Sequence, residues 1–134
     1  MIHLHSIDAP IHCINEAAVE YNIPAKLIIS VLQTENGKAG EISKNKNGSY
    51  DIGPAQINST WLPFLKKHGV TKEQVQFNPC INVKIGAWIL AQSIAEENDL
   101  VIGVGNYNSH TKKFNQSYSK SVRINFTKIQ ILLN

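Results

Sequence analysis

Apolar residues recur at helical spacing along most of this chain, and the rhythm breaks once, over a polar, turn-rich stretch from Gly40 to Gly53. That pattern predicts a mainly α fold of the α+β kind, with one small β-ribbon set among helices. Ala9-Pro10 opens a first helix with Ile11, Ile14, Ala17, Ala18 and Tyr21 on one side. Pro24 suits the first turn of a second helix, whose apolar face is Leu27, Ile28, Val31 and Leu32 and whose stop is Gly37. Asn47-Gly48 is a hairpin signal. Residues 57–67 read as a third helix carrying Trp61, Leu62 and Leu65, and Thr71 with Gln74 fits a capping box. Asn78-Pro79 starts a long helix with the stripe Ile81, Ile85, Trp88, Ile89 and Gln92. Leu100 to Tyr107 forms a short apolar helix, and Val122, Phe126, Ile129 and Leu133 mark a last one.

Composition narrows the classes. With 134 residues, 43% hydrophobic and 17% charged, the chain is one folded domain over 1–134, with 1–8 as an N-terminal strap and a core from about 9. No apolar run approaches the ~20 residues a bilayer span needs. A net charge of +3 from scattered lysines, with no base-reading stripe, excludes a duplex nucleic-acid binder. Cys13 and Cys80 make no C-x-x-C pair, and two cysteines alone cannot build a structural zinc site, so no metal is expected. His12 adjoins Cys13, but neighbours on a helix point in different directions, which disfavours a thiol enzyme. Two readings of the cysteines stay open: two buried thiols, or a disulfide in an oxidising compartment that adds roughly 4 kcal/mol. The N-terminus has no basic region followed by an apolar run. The chain is then either cytosolic or the mature form of an exported protein, and a disulfide favours the second.

Glu35 continues the face of Ile28, Val31 and Leu32 by the i, i+3, i+4, i+7 rule. A carboxyl at the end of an apolar stripe is partly desolvated, which raises its pKa and suits a general acid. The competing reading is a helix-end glutamate turned to solvent. Asp51 leaves the Asn47-Gly48 turn on a strand, where it can face Glu35 across a cleft between ribbon and helices. Paired carboxyls in unlike surroundings are the apparatus of glycoside cleavage. A capping role for Asp51 explains its spacing as well.

The string from Asn47 to Asn58, NGSYDIGPAQIN, resembles the Gly-x-x-Gln-Ile-Asn motif of soluble lytic transglycosylases and their relatives the C-type lysozymes. It follows Thr34-Glu35-Asn36-Gly37, and precedes Asn78-Pro-Cys-Ile-Asn82, Ala87-Trp-Ile-Leu90 and Tyr107-Asn-Ser109, in the family's order over residues 10–123. The nearest resemblance is to the small specialised transglycosylases of secretion, conjugation and pilus systems. The resemblance implies Glu35 as acid and then base, Gln56 and Asn58 lining the cleft, Tyr107 shaping the subsites, and Asn108 assisting. It implies a Cys13–Cys80 disulfide, a periplasmic monomer, no cofactor, peptidoglycan strands as substrate and a trans-envelope machine as partner.

Three departures matter. Asn36 stands where many members carry a serine that positions the sugar, so either Asn36 takes over that contact or the contact is lost. Asp51 matches the second carboxylate of C-type lysozymes, which gives a hybrid acid pair, and Pro54-Ala55 replaces a larger residue on the groove floor. The expected reaction is cleavage of the β-1,4 MurNAc–GlcNAc bond with 1,6-anhydro product. The alternatives are hydrolysis by Glu35 and Asp51, or an inactive glycan-binding module. Trp61 and Trp88 read as core. Tyr50 on the ribbon and Tyr118 in a polar loop are candidate sugar platforms. Lys44, Lys46, Lys66, Lys67, Lys112 and Lys113 read as a solvated surface with some attraction to an anionic wall.

Overall fold

The structure is a computed structural model that describes residues 2–133. Met1 of the expected strap, Asn134 and the side chain of Leu133 lie outside the described residues. Among those described there are seven α-helices and one three-stranded sheet. The helices are α1 (Ile11–Tyr21), α2 (Ala25–Glu35), α3 (Leu62–Lys67), α4 (Lys72–Phe77), α5 (Pro79–Ala95), α6 (Leu100–Asn106) and α7 (Lys112–Leu133). The strands are β1 (Ile42–Lys44), β2 (Tyr50–Ile52) and β3 (Ile57–Asn58). The mainly α, lysozyme-like architecture with a small ribbon is as the sequence predicts.

α5 is the hub. It is wrapped on most sides, burying Asn82, Val83, Ile85, Gly86, Ala87, Ile89, Leu90 and Ser93. A helix buried all round has no single apolar stripe, so the stripe expected from Ile81 to Gln92 understates it: Ile81 and Trp88 are half-buried and Gln92 is exposed. Asn78 caps it by accepting the Ile81 N–H at 3.1 Å, with Pro79 in the first turn. α1 and α6 pack on α5, while α7 lies along α2 and α6. A disulfide joins Cys13 of α1 to Cys80 of α5, Cα to Cα 5.3 Å, closing 67 residues of chain.

The sheet is antiparallel in the order β1-β2-β3, with Ser43 opposite Asp51 and Asp51 opposite Asn58. Gly48 turns the first hairpin at φ 88°. β3 corrects the sequence reading. Ile57 and Asn58 were expected inside a helix, but they pair with Ile52 and Asp51; a 3-10 turn (Ser59–Trp61) follows, and the helix begins only at Leu62. Tertiary pairing overrides a local helical spacing of this length. The Thr71–Gln74 capping box forms in both directions, at 2.9 and 3.1 Å. The chain before α1 is tied to α2 by paired backbone and side-chain bonds between His5 and Gln33, and Asp8 accepts the Ala39 N–H at 2.7 Å.

Candidate active site

α2 brings its last residue, Glu35, to the floor of a cleft of about 620 Å³ between the helices and the ribbon. Ile28, Val31 and Leu32 on the same face are buried in the core, so the carboxyl stands on apolar ground. α2 ends there because Asn36 takes the left-handed conformation, φ 50°, and returns its N–H to the Leu32 carbonyl. Gly37, read from the sequence as the stop, does a different job. A Cβ on Gly37 would lie 1.9 Å from the Gly53 carbonyl oxygen, so the missing side chain is what lets the Gly53–Gln56 loop close against the end of α2.

The Glu35 carboxyl has one side-chain donor among the described residues. Tyr118 Oη donates to Oε2 at 2.6 Å. Burial pushes the carboxyl up from 4.5 to about 7; the Tyr118 bond pulls it down, and the charge of Asp51 pushes it slightly up. Tyr118 itself is buried, and its phenol is held well above 10 by burial first and then by the charge of Glu35. It therefore stays a donor at any working pH. With Oε2 occupied by Tyr118, Oε1 is the oxygen left for chemistry in the cleft.

Asp51 lies in the same cleft on β2. Its two oxygens each accept an amide: Oδ1 from Asn58 at 3.0 Å and Oδ2 from Asn45 at 3.2 Å. Asn58 also donates to Ser49 at 3.2 Å, and its own Oδ1 caps the 3-10 turn by accepting Thr60 N–H. Asn58 thus holds Asp51 and starts the next element at once.

The loop between β2 and β3 carries Gln56 in a left-handed conformation, φ 53°, unusual for a residue other than glycine. The Gln56 amide donates to the Gly53 carbonyl at 3.0 Å. Asn82, fully buried on α5, anchors the same loop and ties it to α4: Nδ2 donates to the Ile52 carbonyl of β2 at 2.8 Å and to the Val75 carbonyl of α4 at 3.0 Å, and Oδ1 accepts Ala55 N–H at 2.8 Å. Gly53 must be glycine, at φ 69° and with Asn82 where a Cβ would stand. Tyr107, at the end of α6, donates to the Ala55 carbonyl at 2.7 Å and stacks on Tyr118, ring centres 6.2 Å apart. Its phenol is held well above 10, by burial first.

Glu35, Asp51, Gln56, Asn58, Tyr107 and Asn108 all line the cleft. Asn36 and Tyr50 are not among its lining residues. Asn36 terminates α2, and Tyr50 packs against the core beneath the Lys72 ammonium, 5.2 Å from its ring. Trp61, read as core, lines the cleft and meets Trp88 edge-on at 5.5 Å. Tyr118, expected in a polar loop, lies on α7 and is buried, which corrects the loop reading. The signal was present: Tyr118 is one turn before Val122 on the stripe that continues to Ile129. Glu96, Asn106 and His110 also line the cleft, with His110 Nε2 3.0 Å from Glu96 Oε1. They lie in no motif, and sequence reading gave them no role. One cluster, His12, Cys13 and Cys80, gathers metal-type ligand atoms within 4.8 Å among the described residues, but its sulfurs are joined in the disulfide.

Residues 12–128 match the family profile described as the transglycosylase SLT domain. The chain belongs to this family. It is similar to the invasion protein IagB of Salmonella typhimurium, 33% identical over 123 residues covering 88% of this chain and 77% of that one. A peptidoglycan-binding-like protein of Escherichia coli O157:H7 is 34% identical over 134 residues, 91% and 80% of the two chains. Protein IpgF of Shigella flexneri is 29% identical over 122 residues, 87% and 80%. This SLT-family chain is a lytic transglycosylase whose substrate is peptidoglycan.

Proposed function

We propose that this SLT transglycosylase cleaves the β-1,4 bond between N-acetylmuramic acid and N-acetylglucosamine with Glu35 as acid and then base. One observation carries the reading: a carboxyl held near pKa 7 by burial, in a polar cleft, with one oxygen fixed by Tyr118. Protonated Glu35 gives its proton to the glycosidic oxygen as the C1–O4 bond breaks, and positive charge grows on the muramic ring. Asp51 across the cleft stabilises that charge electrostatically. The Glu35 carboxylate then takes the proton of the muramic C6 hydroxyl as O6 closes on C1. The product is a 1,6-anhydro ring, no water is consumed, and Glu35 is again protonated. Gln56, Asn58, Tyr107 and Asn108 shape the sugar sites around the bond.

Asp51 favours a second reading. A second carboxylate in the cleft, held by two amides, also suits hydrolysis through an activated water or a covalent intermediate. Digestion of purified sacculi followed by mass spectrometry separates the two. Anhydro ends, one water lighter than reducing ends, are the expected product; reducing muramic ends would make the enzyme a muramidase. The kinship with a protein named for invasion supports a role in opening the wall locally for a trans-envelope secretion, conjugation or pilus machine. The working place is then the periplasm, and the working form a monomer recruited by that machine.

A further inference from the structure

Away from the cleft, α6 and α7 carry a second built surface. At the start of α6, Leu100, Val101 and Ile102 are 59, 54 and 45% exposed, and Phe114 at the start of α7 is 55% exposed. They are neighbours: Asn115 donates to the Ile102 carbonyl at 2.9 Å, and Ser119 bonds the Val101 carbonyl. Beside them runs an apolar groove of about 550 Å³, floored by Leu27, Val104, Val122 and Phe126. Its lining carries Lys120 and Arg123 and no acid. Lys112 and Lys113 extend the basic stripe toward Phe114, with the Lys113 ammonium 6.0 Å from that ring. The nearest acid in sequence, Asp99, is engaged in capping α6 through the Val101 and Ile102 amides. A contiguous apolar patch of this kind marks an interaction site rather than ordinary surface.

We propose that this face docks on a bilayer of anionic phospholipid, with the α6 apolar residues and Phe114 entering the interface and Lys112, Lys113, Lys120 and Arg123 meeting phosphates. Protruding apolar residues flanked by four cations, against the one capping carboxylate of Asp99, are the complement of an anionic lipid surface. It also gives the cleft a position. Asn106 and Tyr107, which line the cleft, lie at the other end of α6, about 9 Å along the helix from Leu100. A docked enzyme therefore holds its cleft close above the headgroups and meets the glycan strands nearest the membrane. The docking is independent of the acid–base chemistry proposed for Glu35.

Flotation with vesicles of phosphatidylethanolamine and phosphatidylglycerol, against phosphatidylcholine alone, tests this. Wild type is expected to float with the anionic vesicles only, and to be released by salt. The pair L100S/V101S and the pair K120E/R123E should each weaken that binding by roughly tenfold or more. Val19→Ser, on an exposed apolar residue of α1, should not. Thermal melts and clearing of lipid-free sacculi accompany each variant. Unchanged values in both show that the variants fold and keep the cleft; sacculi left intact by wild type would count against the catalytic reading alone. No flotation, flotation on phosphatidylcholine alike, or equal loss in Val19→Ser overturns the docking. So does a self-associated species that L100S/V101S converts to monomer without any vesicle binding.

Discussion

Glu35 ends a helix whose inward face is Ile28, Val31 and Leu32, and its side-chain partner is a single phenol. Asp51 sits mid-strand on a three-stranded ribbon with an amide on each oxygen. The two walls of one cleft thus treat the same functional group in opposite ways. The helical wall withholds solvent and raises the acid form of Glu35. The ribbon supplies an amide donor to each Asp51 oxygen, which fixes where that carboxyl points. In the proposed mechanism the two carboxyls take different tasks because of what packs against them, not because of their own chemistry.

The sharpest way to break that contrast is Glu35→Gln, which keeps the shape and an acceptor for Tyr118 but has no proton to give. Clearing of purified sacculi should fall by roughly a thousandfold. Full residual activity would refute the assignment. The same variant reports on burial. The folded-state pKa of Glu35 lies above its unfolded value, so the folded chain holds the extra proton. The resulting stability is fully present below about 4.5 and is lost as pH rises through about 7. The neutral amide loses nothing over that range. Glu35→Gln should therefore match wild type in stability at pH 4 and exceed it by about 2 kcal/mol at pH 8. Equal denaturant midpoints at both pH values would mean that the carboxyl is not desolvated.

On the opposite wall, Asp51→Asn removes the charge and sets an amide group against the amides of Asn45 and Asn58. A rate loss of roughly a hundredfold on sacculi is expected if Asp51 stabilises a developing cation. An unchanged rate would reduce Asp51 to a brace for the ribbon. How firmly that wall is seated depends on Asn82, which makes three buried bonds: to Ile52 on β2, to Ala55 in the following loop and to Val75 on α4. Asn82→Ala orphans the Ile52 and Val75 carbonyls and the Ala55 amide, and should cost about 3 kcal/mol of unfolding free energy. A loss confined to a few tenths in urea titration would show that the loop is held elsewhere.

The helical wall was more legible in the sequence than the ribbon, for a physical reason. Helical stripes repeat over several turns, so α1, α2, α5 and α7 leave several residues of signal, and Glu35 was found by continuing one of them. β3 is two residues long and is defined by partners on β2, so its own sequence reads as the start of a helix. The stop of α2 falls on Asn36 rather than Gly37 for the same reason, since which residue goes left-handed depends on what abuts it, and the Gly53 carbonyl against Gly37 is distant in sequence. Tyr118 continues the stripe one turn before Val122, but the helix itself begins at Lys112, nearly three turns before Val122, in a polar stretch that carries little apolar signal. Glu96, Asn106 and His110 reach the cleft only through the packing of α5 and α6, and their sequence neighbourhood has no period that reveals it.

Tyr118→Phe makes the smallest change and discriminates most finely between the two walls. The phenol bond favours the carboxylate form of Glu35, so its loss should move the Glu35 pKa above its present value of about 7. The alkaline limb of the pH–rate profile, which reports loss of the proton donor, should then shift upward. At acid pH, where Glu35 is protonated in either protein, the rate should fall only several-fold, because Oε2 is no longer fixed and Oε1 is aimed less often at the sugar. Tyr107→Phe is the matched control: its hydroxyl binds the Ala55 carbonyl rather than Glu35, so it should disturb sugar binding through the Gln56 loop and leave the limb in place. Profiles measured on soluble glycan strands decide this. A limb that stays put in Tyr118→Phe, or moves equally in both variants, would show that the carboxyl is set by its apolar floor alone and that α7 serves the site only by packing.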